Sequence, residues 1–238
     1  MAVQYFEAVT DFHDSLGELN QLIKIANGYK KLGKLNKRDL MLRSTVLFLG
    51  THLECLFETI AEEYIFKIEQ AGLPRDKVPE ALLMSSVHYH FNEELVQKVK
   101  AKNPLCKDPL INLAKILSCD SPVNDLKIDT SFSYGKHGST VVEKLFKRLD
   151  IEDLFSNCLV TISRESMLQD EPEVTVVDIK GKFNALTGAR NALIHQYSMP
   201  NERTIDRIIK DIPFYKQFAD SLDELLHQRL ENILNQAA

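Results

Sequence analysis

The apolar positions of residues 4–29 fall at Phe6, Val9, Phe12, Leu16, Leu19, Ile23 and Ala26, in steps of three and four. That spacing returns to the same face every turn of a 3.6-residue helix, so it predicts an amphipathic helix. The pattern is stronger over 39–70. There Leu42, Val46, Leu49, Leu53, Leu56, Ile60 and Tyr64 make one stripe, and Leu47, Phe57, Ala61, Ile65 and Ile68 widen it. A stripe that broad predicts a central, heavily buried helix. Between the two lies "KKLGKLNKRD", a basic link with a glycine where the first helix should end. "AGLPRDKVPE" should stop the second, because Gly72 and Pro74 are helix-ending residues.

Residues 73–138 are less regular. "PEALLMSSVHYHFNEELVQKVKAKN" and "DPLINLAKILSCD" predict two or three short helices, and "SPVNDLKIDTSFSYGKHGST" is rich in turn residues. Ser139 or Thr140 is placed to cap the next helix, "TVVEKLFKRLD", with Glu143 completing a capping box with Thr140. "EPEVTVV" at 171–177 has strand character, after which Asp178 reads as the N-cap of a helix running to about 197, closed by Pro200. The stripe from Ile205 to Ile233 predicts one long amphipathic helix over 202–236. No internal repeat or low-complexity tract interrupts the chain. Long helices joined by short links predict an all-α helical bundle. The expectation is one domain over 1–238, its core helices at about 1–72 and 139–238, with 73–138 as an insertion or cap.

Composition agrees with a helical reading. Hydrophobic residues make up 44%, and 9 Gly and 8 Pro in 238 residues are too few for many short strands and turns. A formal charge of −5 and a pI near 5.8 argue against a protein that grips long duplex DNA non-specifically, so any nucleic-acid contact must be local. The first 16 residues lack the basic and apolar regions of a signal peptide, and no run approaches the roughly 18 apolar residues of a membrane span. A cytoplasmic location away from membranes is therefore expected. Cys55, Cys106, Cys119 and Cys158 form no CxxC pair and are expected to be reduced core thiols.

The chemistry concentrates in "ARNALIHQY" at 189–197. On a wheel of 100° per residue, Ile179, Phe183, Leu186, Leu193 and Ile194 lie within about 60° of Arg190. The arginine thus sits in the middle of the apolar stripe. A guanidinium is costly to bury unpaired, so it must face a partner, a cleft or a subunit seam. Asn191 and His195 are an i, i+4 pair on one flank of that stripe. An Arg and a His near a helix end can also simply complement the helix dipole.

At these residues the chain resembles the HEPN superfamily. "RNALIH" fits its R-[polar]-x-x-x-H signature, "DLMLRSTVLFLGTHLECLFETIAEEYI" is similar to its long second helix, and "VVEKLFKRLDI" resembles a segment before the motif helix of larger stand-alone bacterial members. The likeness is to a MAE-like or RiboL-PSP-like branch, covers roughly 1–72 and 139–236, and leaves the middle block unexplained. It implies an HEPN-type bundle. It also implies a metal-independent endoribonuclease that needs no cofactor, dimerises so that two motifs meet at the seam, and serves as a toxin or phage-defence effector. On that reading Arg190 clamps phosphate, His195 moves protons and Asn191 orients one of them. An effector of that kind implies a cognate antitoxin or sensor protein. Tyr197 extends the motif to R-x4-H-x-Y, and the equivalent tyrosine is a modification site in some HEPN toxins. The alternative is a non-catalytic HEPN module that binds RNA, a nucleotide or a partner protein.

Glu54 stands beside the apolar stripe of the central helix and is a candidate to face the motif; His52 is its neighbour. Lys30, Lys31, Lys34, Lys37 and Arg38 are either a solvated linker or an RNA-backbone contact. "GKHGST" fails the spacing of a phosphate-binding P-loop, and His88 and His90 lack a suitably spaced carboxylate or thiol for a metal site.

Overall fold

The basic link between the first two helices contracts to three residues in the computed structural model. Helix α1 spans Glu7–Lys31 and α2 spans Leu35–Gln70. Gly33, at φ +69°, supplies the left-handed turn between them, and Lys34 N donates to Tyr29 O at 2.9 Å. So short a link lays α1 against α2 as a hairpin. The structure describes residues 6–118, 123, 125–132, 138–164, 173–195 and 200–235. Tyr197, Cys119 and the first half of the "GKHGST" loop lie outside the described residues.

The rest of the chain is assembled around α2. The block after it forms α3 (Glu80–His90), α4 (Glu93–Lys100) and α5 (Lys107–Leu117), with single 3-10 turns at Arg75–Lys77 and Pro104–Cys106. Beyond them come α6 (Ser139–Arg148), the one-turn α7 (Leu154–Asn157), α8 (Ile179–His195), α9 (Glu202–Lys210) and α10 (Ile212–Asn235). Between α7 and α8 sits an antiparallel hairpin, β1 (Thr161–Arg164) with β2 (Glu173–Val176), in register Thr161 with Val176. The strand character read at 171–177 is therefore real; its partner at 161–164 was not anticipated. The fold is an all-α bundle with this hairpin as an appendage.

An aromatic cluster fills the centre. Phe57 of α2 meets Phe146 of α6, Phe183 of α8 and Phe218 of α10, with ring centroids 5.6–6.1 Å apart. Phe155, Phe214 and Tyr215 close around them, and the Tyr215 hydroxyl donates to Lys182 O at 3.2 Å. Such ring pairs add to the burial of apolar area that drives packing. Residues 73–132 contribute Leu82, Leu83, Ile116, Val123, Leu126 and Ile128 to the same core.

Segment 125–132 runs antiparallel along α2 as a strap held by carboxylates. Glu69 accepts from Leu126 N at 2.6 Å, Glu62 from the Thr130 hydroxyl at 2.9 Å, and Glu58 from Phe132 N at 2.7 Å. The same helix caps α1. Glu63 accepts from Glu7 N at 2.9 Å and from Ala8 N at 2.7 Å, while Asp223 of α10 accepts from Phe6 N at 2.7 Å. Helix α1 has no side-chain cap of its own, so these distant carboxylates satisfy amides that would otherwise lack partners.

Three sequence expectations change. The helix predicted over 202–236 is two helices, broken at Asp211. Pro213 has no N–H and its ring cannot follow a continuing turn, so it sits in the first turn of a new helix instead. Neither Ser139 nor Thr140 caps α6: the cap position is Gly138, Asn184 of α8 accepts from Ser139 N at 3.0 Å, and Glu143 pairs with Lys180 at 2.7 Å. Of the thiols, only Cys158 is buried among the described residues; Cys55 is exposed and Cys106 half-buried. Burial pushes the Cys158 thiol up to about 12.

By length and composition α2 could also cross a membrane, contrary to the expectation that no segment approaches a span. Its apolar residues are accounted for by the helices packed around it.

The trans-cap of α1 gives a direct stability test. Glu63→Ala removes the acceptor for two first-turn amides and should lower the unfolding free energy by about 1–2 kcal/mol in urea melts. Glu231→Ala, on the exposed face of α10, should leave the midpoint unchanged. A Glu63→Ala protein as stable as wild type would contradict the cap.

Candidate functional site

Helix α8 starts where the sequence says it should. The Asp178 carboxylate accepts from Gly181 N at 2.9 Å, the geometry of an N-cap. From there Ile179, Phe183 and Leu186 bury one after another, each a turn or less further on. Phe183 sets the depth of the helix, its ring centroid 4.8 Å from Phe218. Arg190 comes next on the same stripe and is only 5% exposed.

What the arginine faces is α2 of its own chain. Its Nη2 donates to Glu54 Oε2 at 3.0 Å, in an ion pair whose side chains are 6% and 16% exposed. The stem above the guanidinium runs across Gly50. A Cβ on Gly50 would lie 2.7 Å from Arg190 Cδ, closer than any real contact allows. Gly50 and Glu54 are one helical turn apart, so they share a face of α2. One residue makes room for the arginine and the next turn supplies its counter-charge. Burial pushes the Glu54 carboxyl above its ordinary range, and the Arg190 charge works in the opposite direction.

The rest of the motif is more open. Asn191 is half-buried, and His195, the last residue of α8, is exposed, as is Ile194. The wheel thus places Arg190 correctly on the apolar stripe, but the stripe packs inside the protomer. It does not present the arginine on an open seam. The flank that carries Asn191 and His195 is the part that reaches solvent. The structure brings Glu54 to Arg190 as the sequence suggests, and it sends His52 to the other side of α2. There His52 lines a small cavity of about 100 Å³ with Asp11, Ser15 and Cys55, and burial lowers its affinity for a proton.

The basic cluster divides. Lys30, Lys31, Lys34 and Lys37 are exposed around the α1–α2 turn, with the Lys37 ammonium 5.7 Å from the centre of the Tyr29 ring. At 1.5 Å per residue they stand roughly 20 Å or more along α2 from Gly50, so the fold does not bring them to the motif. Arg38 is not a surface contact at all. It is buried, and its guanidinium engages Glu202, Asp206 at 3.3 Å and Asp39 at 3.1 Å, tying α2 to α9. Those carboxylates hold its proton more firmly than usual, the hydrogen bond that Arg38 donates to Glu202 being the largest influence. His90 Nε2 lies 3.0 Å from Asp125 O. Among the described residues no three His, Cys, Asp or Glu side chains gather as metal ligands.

Gly50 is the site residue that the sequence reading missed. The signal was present: a lone glycine inside a strongly apolar helical pattern costs about 1 kcal/mol relative to alanine, and its retention calls for a close approach.

The comparisons with known proteins agree with this architecture. A family model described as RiboL-PSP-HEPN matches residues 10–228, which include every helix of the bundle in whole or in part and the whole Gly50–Glu54–Arg190–His195 arrangement. No curated protein and no solved structure matches the chain.

The Glu54 environment fixes a pH dependence. A carboxyl whose folded pKa is raised destabilises the fold when ionised, and this cost is relieved as pH falls through the raised value toward the unfolded one. Wild type should therefore gain stability relative to Glu54→Gln as the pH is lowered from 7 toward 4.5, measured by urea melts. A constant difference between the two proteins would contradict the burial of Glu54.

Proposed function

We propose a ribonuclease function for this chain, which belongs to the RiboL-PSP-HEPN family of the HEPN superfamily. The observation that carries the reading is the division of labour in α8: a buried Arg190 held by Glu54, and an exposed His195 little more than one turn further on. RNA carries its own nucleophile in the 2′-OH. Cleavage then needs a group to take that proton, a group to give one to the leaving 5′-oxygen, and positive charge near the phosphorane. An imidazole can do either proton transfer near neutral pH. One histidine cannot serve both roles in a single step, so a second copy of the motif across a two-fold seam would complete the site. The half-exposed flank of α8, with Asn191, Ile194 and His195, is the surface we assign to that seam.

Burial changes the role of the arginine. In this conformation its Nη2 is engaged by Glu54 and the side chain is buried, so a direct phosphate clamp requires Arg190 to exchange Glu54 for phosphate. A raised Glu54 pKa helps that exchange, because a protonated Glu54 holds the guanidinium less firmly. We take Asn191 as the residue that orients His195 or the phosphate. The reading includes one HEPN unit over the whole chain, a cytoplasmic toxin or defence role, and a restraining antitoxin or sensor partner. The same burial favours a second reading, in which the Arg190–Glu54 pair is structural and the chain is a non-catalytic HEPN module.

Purified protein incubated with cellular RNA separates the two readings. On the ribonuclease reading wild type cleaves with or without EDTA, and His195→Ala loses about 10²–10⁴-fold in rate. Intact RNA with wild-type protein at micromolar concentration, or equal cleavage by His195→Ala, would favour the non-catalytic module. Light scattering should give a dimer, and Asn191→Arg on the assigned seam should shift it toward monomer.

A further inference from the structure

Helix α1 carries two apolar stripes, and the bundle covers only one. Phe12, Leu16, Leu19 and Ala26 are buried in the core. The second stripe is Leu22, Ile25, Tyr29 and Leu32, again in steps of three and four. It stands about 100° around the helix from the first. Ile25 is 48% and Leu32 67% exposed, while Leu22 and Tyr29 are half-buried. Phe48 of α2 widens the patch on the same side of the hairpin. It is 49% exposed, and its ring lies 6.4 Å from that of His52, which shares a cavity with Ser15 of α1. His52 and Gly50 point to opposite sides of α2, so this patch is turned away from Arg190. Single exposed apolar residues are ordinary, but a run at heptad spacing is the pattern of a helix seam. Charge along α1 is segregated about that run. Glu7, Asp11, Asp14 and Glu18, all exposed, come before it. Lys30, Lys31, Lys34 and Lys37 gather at its far end, and no acid lies between Glu18 and Asp39.

We propose that this stripe is a contact between two copies of the chain, α1 against α1 about a two-fold axis with the helices antiparallel. The charges of the helix itself identify the occupant. An isologous contact sets the same patch against itself, so the patch must be self-complementary. A parallel pairing would bring acids to acids and lysines to lysines, which is costly. The antiparallel one does the reverse. An axis near Asn27 sets Leu22 of one copy against Leu32 of the other, and Ile25 against Tyr29. At 1.5 Å per residue, Glu18 then lies about 14 Å from the axis and the hairpin tip of the other copy about 9 Å from it, so Glu18 falls beside Lys34 and Lys37. Asp14, one turn further out, still adds to the attraction within a Debye length. The two-fold repeats this meeting at both ends. Lys24, Lys30 and Lys31 lie about 120° or more around α1 from the stripe and stay outside the contact. With five large apolar side chains from each copy the contact is at the low end of specific interfaces, so it joins copies weakly and fills at high protein concentration. Nothing in it uses α8, so it stands or falls separately from the ribonuclease reading and from the seam assigned there.

Sedimentation velocity of the full chain, from low micromolar to about 0.5 mM protein, tests it. Wild type should gain mass across that range, and Asn191→Arg should keep the gain because the contact is on the other side of α2. Ile25→Glu should weaken the association about tenfold or more with an unchanged circular dichroism spectrum. A charge exchange gives the sharper readout. Asp14→Lys with Glu18→Lys makes the acidic end basic, and Lys34→Glu with Lys37→Glu makes the basic tip acidic. Each double variant alone should associate about tenfold or more weakly than wild type, and an equimolar mixture of the two should recover wild-type association, since both ends are then complementary again. A wild-type mass that does not rise with concentration, a rise abolished by Asn191→Arg, or a rise unchanged in Ile25→Glu would each overturn the proposal. So would a mixture no more associated than its components. A stripe that serves the helix of a different protein would give the first of these results.

Discussion

The ion pair between Arg190 and Glu54 joins the motif helix to the spine of the bundle. A guanidinium in an apolar stripe must be matched or the helix cannot dock, because removing one partner of a buried pair strands the other charge. The match here comes from α2, at the one turn where Gly50 leaves room for the arginine stem. Phe183, two turns before it, then falls against Phe57 and Phe218, and the helix end leaves Asn191 half-buried and His195 exposed. A rigid element thus delivers the two more open polar groups while holding the charged one inside. Sites carried on packed helices keep their geometry better than sites on loops.

The same helix organises its other neighbours by a similar device. Glu58, Glu62, Glu63 and Glu69 follow one another along α2, and each accepts a hydrogen bond from a segment distant in sequence. Three of them fix the strap at 125–132, and Glu63 caps α1. The carboxylates that make α2 look like an ordinary amphipathic helix are therefore acceptors for distant segments: Glu58, Glu63 and Glu69 for backbone amides that have no regular ladder to join, Glu62 for the Thr130 hydroxyl. Arg38 and the acids of α9 do the converse job at the opposite end of α2, with a buried cation gathering exposed carboxylates. Charge on this helix is spent on assembly more than on solubility.

Much of this was legible from spacing. The long helices, the stripe through Phe183 and Leu186, the Asp178 cap and the position of Arg190 on the packed face all follow from a 3.6-residue period and a few cap residues. What spacing cannot encode is which distant group answers each local need. Asn184 replaces the expected cap of α6, Glu63 supplies the missing cap of α1, and Arg38 turns inward although it lies in a basic run. The strap and β1 escaped for the same reason, since short extended segments carry little periodic signal and are placed by tertiary partners. The family resemblance pointed to Arg190 and His195 as equals, and only the packing shows that one is inside and the other outside.

A double-mutant cycle on Glu54 and Arg190 tests the central claim most directly. Unfolding free energies of wild type, Glu54→Gln, Arg190→Met and the double variant give the coupling between the two side chains. The account predicts a coupling of about 1–3 kcal/mol, with the double variant less destabilised than the two single changes combined. Strictly additive effects would contradict it, and would mean that α8 docks on α2 without the pair.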